Sequence, residues 1–333
     1  TLLGVRHGMV ALTKIDRVEA DHLELAQAEL DDFLQGTFLE GAPICPLSSI
    51  TGEGFDRFLE ALETLVSGVP PRRIDGVFRL PLDRAFSVKG HGTVLSGIPV
   101  SGSARVGDEV ALLPRGLAGT IRGIEVYGDR ADTVMAGQCA AVNVRHWDSH
   151  AIRRGDTLAA PGCFSPGHWF VCTLRLLDHK KLVLKSGANV KFHTGTTEVA
   201  ASVYLLKGSQ MLAGESQLVQ VKAKAPLVAG PGDFFILRTL SPIQTIGGGM
   251  IVEGVSRRLK RNRPEVHDDL RERAGAVTDD VRFVEYCARN AESLASTQAD
   301  LAFRAKVPRG RLEEILSELA GEGKVLALGA NLH

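Results

Sequence analysis

The chain reads as a multidomain protein: a partial α/β domain, then two β-barrels, then a C-terminal winged helix. Three observations predict this order. Residues 1–67 alternate between buried-strand and amphipathic-helix signals. From Val77 to about Gly254, short β-rich runs recur between glycine turns, the pattern of barrels or sandwiches. From Arg257 the chain turns helical and charged. A length of 333 residues allows two to four domains, taking about 100–150 residues each. The expected boundaries are 1–69 for the α/β part, 70–162 and 163–256 for the two barrels, and 257–333 for a basic linker and winged helix.

In the first part "GMVALT" and "APICPLSS" read as buried strands. "ADHLELAQAELDDFLQG" places Leu23, Ala26, Leu30, Phe33 and Leu34 at helical spacing and ends on Gly36. "GFDRFLEALETLVSG" is a second amphipathic helix closed by Gly68. This βαβα order implies a parallel sheet, yet two strands cannot cover two helices, so more of that sheet is expected than these residues supply. Pro70-Pro71 marks a linker. The barrel runs are "VFRLPL", "GTVLSGIPV", "DEVALLP", "GTIRGIEVYG" and "CAAVNV", then "WFVCTLRLL", "NVKFHTGT", "EVAASVYLL", "QLVQVKAKAPL" and "DFFILRTL", with a seam near "LAAPGCFSPG" (158–167). Near the end, "TQADLAFRA" and "RGRLEEILSELAGEG" read as two helices around "KVP", followed by a strand "KVLAL": helix–turn–helix and strand, as in a winged helix.

Lys+Arg and Asp+Glu both number 39, so no bulk field announces a nucleic-acid or membrane partner, and any RNA contact must be local. Five cysteines (45, 139, 163, 172, 287) lack CxxC spacing and are too sparse for a disulfide framework. Reduced, mostly buried thiols are expected, in a cytoplasmic protein. No apolar run approaches the roughly 20 residues that span a bilayer. The chain opens on "TLLGV" without an initiator methionine or a signal-peptide pattern, which suggests a start in mid-domain.

The chemistry begins at Thr13-Lys14-Ile15-Asp16, at the end of the first strand. A carboxylate there can accept from both the N1–H and the exocyclic amine of guanine, a donor pair adenine lacks, so Asp16 sets base choice. The stem of Lys14 would lie over the ring. One βα unit later, Ser48-Ser49-Ile50 in "LSSITGEG" stands at a second strand end, where a backbone N–H can meet the base carbonyl. The phosphate side is not present: no GxxxxGK[ST] occurs in the 333 residues, and no DxxG magnesium loop precedes Lys14. Those elements position phosphates for hydrolysis, so this stretch is expected to hold a guanine edge and not to hydrolyse GTP by itself.

Half of a GTP-binding domain followed by two barrels resembles the translational GTPases related to elongation factor Tu. Within them, the residues resemble the bacterial-type selenocysteine-specific elongation factors. "VFRLPLDRAFSVKGHGTVLSGIPVSG" (77–102), "VGDEVALLP" (106–114), "AGQCAAVNV" (136–144) and "IRRGDTL" (152–158) look like domain II of that family. "FHTGTTEVAASVYLL" (192–206) and "SPIQTIGGGMIVEG" (241–254) look like its domain III. A winged helix after domain III fits this family and not elongation factor Tu. The resemblance covers residues 1 to about 330 and implies a GTPase that delivers selenocysteinyl-tRNA to ribosomes at recoded UGA codons above an mRNA hairpin. It implies GTP or GDP as ligand, and Mg2+ held by residues outside this chain. It also implies a monomer without membrane contact, with the hairpin held by further C-terminal domains.

By motif, the resemblance carries the aminoacyl pocket onto Asp83 and Arg84 in "LDRAF", Arg154 in "RRGD" and His91 in "KGHG". The physics agrees. A selenol is far more acidic than a serine hydroxyl or a cysteine thiol, which ordinarily ionises near pH 8.5, give or take about a unit. Selenocysteine therefore arrives as an anion and its seryl precursor neutral. Two guanidiniums can read that charge, whereas an apolar pocket rejects such a near-isostere by only about 100-fold. Asp83 would accept from the α-amino group. As surface residues, an Asp-Arg pair and an RGD turn can equally be simple rim ion pairs.

Other stretches weigh less. "HWDSH" (His146, Asp148, His150) has metal-like spacing but sits in a polar loop. His193 reads as a barrel-turn residue. Gly247, Gly248 and Gly249 mark a strand approached closely by other backbone, for which domain packing is the expectation. "RRLKRNR" is either a solvated linker or a contact to RNA phosphates. The winged helix's second helix is acidic in its middle, unlike a phosphate-facing helix, and reads as a spacer. Two competing functions remain at this stage: a GTPase delivering another tRNA, such as an initiation-factor or general elongation-factor relative, and a nucleotide-independent RNA-binding module. An unpaired sheet edge argues against the latter.

Overall fold

The computed structural model describes residues 2–70, 72, 74–88, 92–145, 147–178, 182–261, 263–290 and 295–328. They form two compact units, 1–71 and 72–333. In the first unit β1 (Val10–Thr13), α1 (Ala20–Leu34), β2 (Ile44–Leu47) and α2 (Phe55–Ser67) follow one another as expected. β1 and β2 are parallel, with Val10 opposite Ile44 and Thr13 opposite Leu47. Parallel strands end at the same edge, so the loops after Thr13 and after Leu47 emerge side by side. Gly54 makes the return from β2 to α2 possible: its φ is +79°, and a Cβ there would stand 2.0 Å from the Pro46 carbonyl oxygen. As the helix patterns foretold, two strands cover little. Among the described residues α2 buries none of its side chains, and Phe33, Leu59 and Val66 lie exposed.

The second unit begins with nine strands: β3 (Arg79–Val88), β4 (Gly92–Gly97), β5 (Ser103–Arg105), β6 (Glu109–Leu113), β7 (Leu117–Val126), β8 (Asp129–Ala131), β9 (Thr133–Met135), β10 (Ala140–Val144) and β11 (Thr157–Ala159). Six of them run in the order β10-β4-β3-β11-β6-β7, and pairing of β10 with β7 closes the ring. Alternate residues point inward, so Leu80, Leu82, Leu95, Leu112, Ile121 and Leu158 fill the first barrel and are fully buried.

Eight more strands follow: β12 (Gly167–Leu176), β13 (Val183–Lys185), β14 (Ala188–Thr194), β15 (Thr197–Leu205), β16 (Gln210–Leu212), β17 (Ser216–Leu227), β18 (Phe234–Arg238) and β19 (Thr245–Val255). β12-β17-β15-β14-β18-β19 close a second barrel around Phe170, Phe192 and Phe235. Those rings stack with centroids 6.5 and 5.1 Å apart. Here the glycine run finds its reason, and it differs from the expected domain packing. A Cβ on Gly249 would lie 1.8 Å from the Thr173 carbonyl oxygen, and one on Gly247 2.5 Å from that of Arg175. The close approach is by β12, a neighbour in the same barrel.

The barrels join through a small apolar cluster of Val77, Ala159, Phe164 and Val228. Beside it Arg79 grips Asp233 through both terminal nitrogens and lies over the Phe164 ring, 5.1 Å from its centroid. Phe164 belongs to the stretch read as the seam.

Four helices complete the unit: α3 (Pro264–Ala276), α4 (Asp280–Arg289), α5 (Gln298–Ala305) and α6 (Arg309–Gly321). The helix–turn–helix of α5 and α6 is as expected; α3 and α4 are additional. Pro264, read as the end of a basic run, is the first residue of α3, where a missing N–H costs nothing. Asp279 and Thr297 cap α4 and α5 by accepting from the amides of Arg282 and Asp300. The expected wing strand at 324–328 does not form. Val325 turns into the helical core, its amide bonded to the Leu319 carbonyl, while Leu326 and Leu328 lie exposed with no strand beside them among the described residues. The acidic middle of α6 is spent within the helix: Glu313 pairs with Arg309 and Glu314 with Arg311, while Leu312, Ile315, Leu316 and Leu319 face the core. α3 lays Leu270 against Val171, Leu206 and Val252 on the outer wall of the second barrel.

Gly249→Ala should cost more than about 4 kcal/mol and abolish a cooperatively folded second barrel. Gly254→Ala, whose nearest atom would be 3.8 Å away, should stay within about 1 kcal/mol. Thermal unfolding of the two variants checks the contrast.

Candidate functional site

The two loops leaving the β1–β2 edge meet through one hydroxyl. After Thr13 the chain turns at Lys14 (φ 66°, ψ 34°), a left-handed conformation uncommon for a lysine, and makes a single turn of 3-10 helix at Ile15–Arg17. That turn brings Asp16 to Ser48, whose Oγ donates to Asp16 Oδ1 at 2.6 Å. The same Oγ accepts from the amides of Ile50 and Thr51, each at 3.2 Å. Ser48 itself is fully buried and its amide donates to the Glu53 carbonyl at 2.9 Å. A hydroxyl engaged three ways below the surface supports the carboxylate and does not reach outward.

Thr13, Lys14, Asp16, Ser49 and Ile50 are exposed around it, and Asp16 keeps a second oxygen with no partner among the described residues. Such an edge suits a purine's paired donors. It does not suit a metal: no group of three or more His, Cys, Asp or Glu among the described residues could hold one.

The second candidate site lies on the first barrel. β3 carries a bulge between Leu82 and Arg84, which places Asp83 out of register. Asp83 Oδ1 meets Arg154 Nη1 at 3.1 Å, and both side chains are more than half exposed (55% and 68%). Arg84 joins neither of them in a described contact; its guanidinium lies over Phe86, 5.6 Å from the ring centroid. His91 lies outside the described residues.

Sequence reading missed what holds Arg154 in place. Asp156, 5% exposed, accepts from the Arg153 amide and from Arg115 Nε, both at 2.9 Å. Gly155 takes φ +93°, its amide donates to the Leu82 carbonyl, and Leu82 donates to the Asp156 carbonyl. Thr197 Oγ1, from the second barrel, donates to the Gly155 carbonyl at 2.9 Å. The signal available in sequence was the Gly-Asp of "RRGD": a left-handed turn residue followed by a side chain that closes the turn.

The weaker candidates resolve simply. Asp148 caps a short turn by accepting from the His150 amide at 2.9 Å, and His146 lies outside the described residues. His193 sits near the end of β14, its pKa held down by burial against the pull of Glu198, 3.8 Å away. All five cysteines are free; Cys45, Cys172 and Cys287 are buried, Cys163 is half-buried and Cys139 exposed. No helix among the described residues is long and apolar enough to cross a membrane.

Comparison with known proteins shows what the chain is similar to. The family described as the selenocysteine-specific elongation factor β-barrel domain matches residues 172–258. A selenocysteine-specific elongation factor of Desulfomicrobium baculatum is 38% identical over 266 residues, 80% of this chain and 42% of that protein. The chain is a relative of the selenocysteine-specific elongation factors. Elongation factor Tu 2 of Streptomyces avermitilis is 27% identical over 262 residues, 75% of this chain and 67% of its own length. A crystal structure of a bacterial selenocysteine-specific elongation factor has the same fold, with a TM-score of 0.75 over 92% of this chain and 48% of that one at 21% identity. The factor from Methanococcus maripaludis, solved with a GTP analogue, has a TM-score of 0.67 over 74% of this chain and 59% of its own at 24% identity. The chain thus spans 42%, 48% and 59% of the lengths of these three selenocysteine-specific factors.

Ser48→Ala should release the Asp16 carboxylate and the Ile50 and Thr51 amides together, costing about 1–3 kcal/mol locally. Hydrogen exchange at those amides should accelerate about ten- to hundredfold while β1 and β2 are unchanged.

Proposed function

We propose that this chain serves a translational GTPase that binds selenocysteinyl-tRNA and delivers it to ribosomes at recoded UGA codons. The observation that carries the reading is the exposed Arg154–Asp83 pair on the first barrel, held by a buried turn. Selenocysteine esterified to tRNA presents an α-ammonium group and a selenolate. Asp83 accepts from the ammonium while Arg154 turns to the selenolate, so one weak surface ion pair is exchanged for two contacts to the ligand. A seryl group satisfies Asp83 alone and leaves Arg154 facing a neutral hydroxyl. Arg84 supplies the second guanidinium, and the resemblance adds His91, which lies outside the described residues. Discrimination therefore comes from charge and not from shape, which could not separate two such similar side chains.

In the first unit Asp16 accepts from the guanine N1–H and amine, with Lys14 over the ring and Thr13 at the strand end. Ser49 and Ile50 border the base, and Ser48 fixes the carboxylate. GTP supplies the free energy of hydrolysis that makes delivery directional. Hydrolysis belongs to the whole protein, because no phosphate-cradling sequence occurs in these 333 residues. Mg2+ accompanies the nucleotide in the whole protein, held by residues outside this chain. The ribosome and an mRNA hairpin are the remaining partners, and the compartment is the cytoplasm.

The test is a double substitution, Arg84→Ala with Arg154→Ala, in the whole protein. The preference for selenocysteinyl- over seryl-tRNA, measured by protection of the aminoacyl ester from hydrolysis, should fall by at least about 100-fold, two charge-assisted contacts at roughly 1.5–3 kcal/mol each. An unchanged preference would remove the pocket assignment.

A further inference from the structure

Between the second barrel and the C-terminal helices lies an open cleft of about 1270 Å³ that plays no part in either site above. Cations reach it from three directions: Lys222 and Lys224 on β17, Arg273 on α3, and Arg304 and Lys306 at the end of α5. Two carboxylates share the cleft, and both are already engaged. Glu253 pairs with Arg273 at 2.6 Å, and Asp269 accepts from the Tyr286 hydroxyl.

The remaining cations make no ion pair with a carboxylate among the described residues, although Arg304 is near enough to draw the Glu253 pKa down. Arg304 donates to the Cys287 and Asn290 carbonyls, and Lys306 to the Cys163 carbonyl at 2.7 Å. Lys222 and Lys224 make no ion pair among the described residues. Arg273, only 8% exposed, keeps its Nε buried without a partner. A buried, unsatisfied N–H of a cation beside a polar opening is costly unless something enters to accept from it.

The wall of the cleft adds a second feature. Trp169 packs against Tyr204 with centroids 5.5 Å apart and ring planes tilted by 38°. Lys222 lies over Trp169 at 5.3 Å, and Arg258 over Tyr204 at 4.2 Å. The result is a ladder of cation, ring, ring and cation on the outside of the barrel. Its far end is the basic run 257–263, which is not a loose linker: the side chain of Gln220, fully buried, donates to the Arg257 carbonyl and accepts from the Leu259 amide. The run is therefore presented at a fixed place, with Arg257, Arg258, Lys260 and Arg263 exposed.

We propose that this cleft and ladder form a second RNA-binding surface, which takes a single-stranded segment. Its phosphates lie along Lys222, Lys224 and the basic run; Lys222 leaves the Trp169 ring for a phosphate, and a base takes its place on that face. Ring faces alternating with cations suit single-stranded nucleic acid, because every base offers a π-face and every linkage an anion. An acidic polypeptide would use the cations and leave the rings idle. The proposal takes only the class of partner from the proposed function; the cleft is built from other residues than Asp83, Arg84 and Arg154.

The experiment uses the full chain and a fluorescein-labelled oligoadenylate of about twelve nucleotides, within the range one such surface accommodates. Binding is read by anisotropy at several salt concentrations. Lys222→Gln with Lys224→Gln should weaken binding about tenfold at low salt and flatten the log–log salt dependence by about 1.4, two lost phosphate contacts on a single strand. Trp169→Leu should weaken it about five- to hundredfold with little change in salt dependence. Lys185→Gln with Lys191→Gln, lysines on β13 and β14 that do not line the cleft, should change affinity by less than about twofold. An unfolding midpoint within a few degrees of the parent's shows that each variant is folded.

No binding by the parent chain, equal losses in the two lysine pairs, or displacement of the oligonucleotide by polyglutamate of equal charge would each overturn the proposal. The probe carries no aminoacyl group, so its result is independent of selenocysteinyl recognition.

Discussion

Asp156 is an almost fully buried carboxylate, and the proposed aminoacyl site is arranged around it. Its Oδ2 accepts from the Arg153 amide and from Arg115 Nε, which compensates the cost of taking an ionised group out of water. Its backbone is tied to β3 at Leu82, one residue before the bulge that displaces Asp83. Arg154 is carried on the turn so fixed, and Asp83 on the strand to which the turn is tied. Their 3.1 Å contact follows from that scaffold and not from their own attraction, which at such exposure is worth about 0–1 kcal/mol. A rigid frame holding a weak, solvent-exposed pair is the combination that permits exchange of partners when a ligand with both charges arrives.

The second barrel contributes to the same frame. Thr197 in its β14–β15 hairpin bonds the Gly155 carbonyl, and the Arg79–Asp233 pair fixes the two barrels beside the Phe164 cluster. α3 in turn is seated on the outer wall of that barrel by Leu270 and by the Arg273–Glu253 pair, where burial pushes the glutamate's pKa up and the guanidinium opposes it. From the RGD turn to the helices, unit two is thus linked by contacts that each join one layer to the next. The site on the first barrel and the cleft behind the second are both consequences of that layering.

Much of the architecture was legible because strand and helix periods differ and glycine punctuates them. β1, β2, α1 and α2 fall where alternation and helical spacing place them, and the barrel runs map onto the ring strands. The misses have different causes. α3 carries few apolar residues at helical spacing and buries only Leu270, Arg273 and Ala276, whereas α4 has an apolar face of Phe283, Val284, Tyr286 and Cys287 that the reading passed over. Their local signals were Pro264 and Asp279, which a basic run and a short polar stretch obscured. "KVLAL" has strand composition but no strand beside it among the described residues, and pairing decides strands more than propensity does. In the sites, the exposed residues were readable as motifs, whereas their supports were not. Ser48 looked like a ligand contact and is a buried support; Asp156 and Arg115 lie far apart in sequence, so only folding shows that they act on Arg154.

The account stands on the claim that Arg154 and its neighbours sense ionisation of the amino acid's side chain. Cysteinyl-tRNA offers the direct measurement, because its thiol ionises near a pKa of about 8.5 while a seryl hydroxyl stays neutral. If the account holds, the ratio of the whole protein's affinities for cysteinyl- and seryl-tRNA should rise by about tenfold or more between pH 7 and pH 9, the shared loss of the α-ammonium proton near pH about 7.7–8.0 cancelling in that ratio. Parallel profiles for the two tRNAs would contradict it.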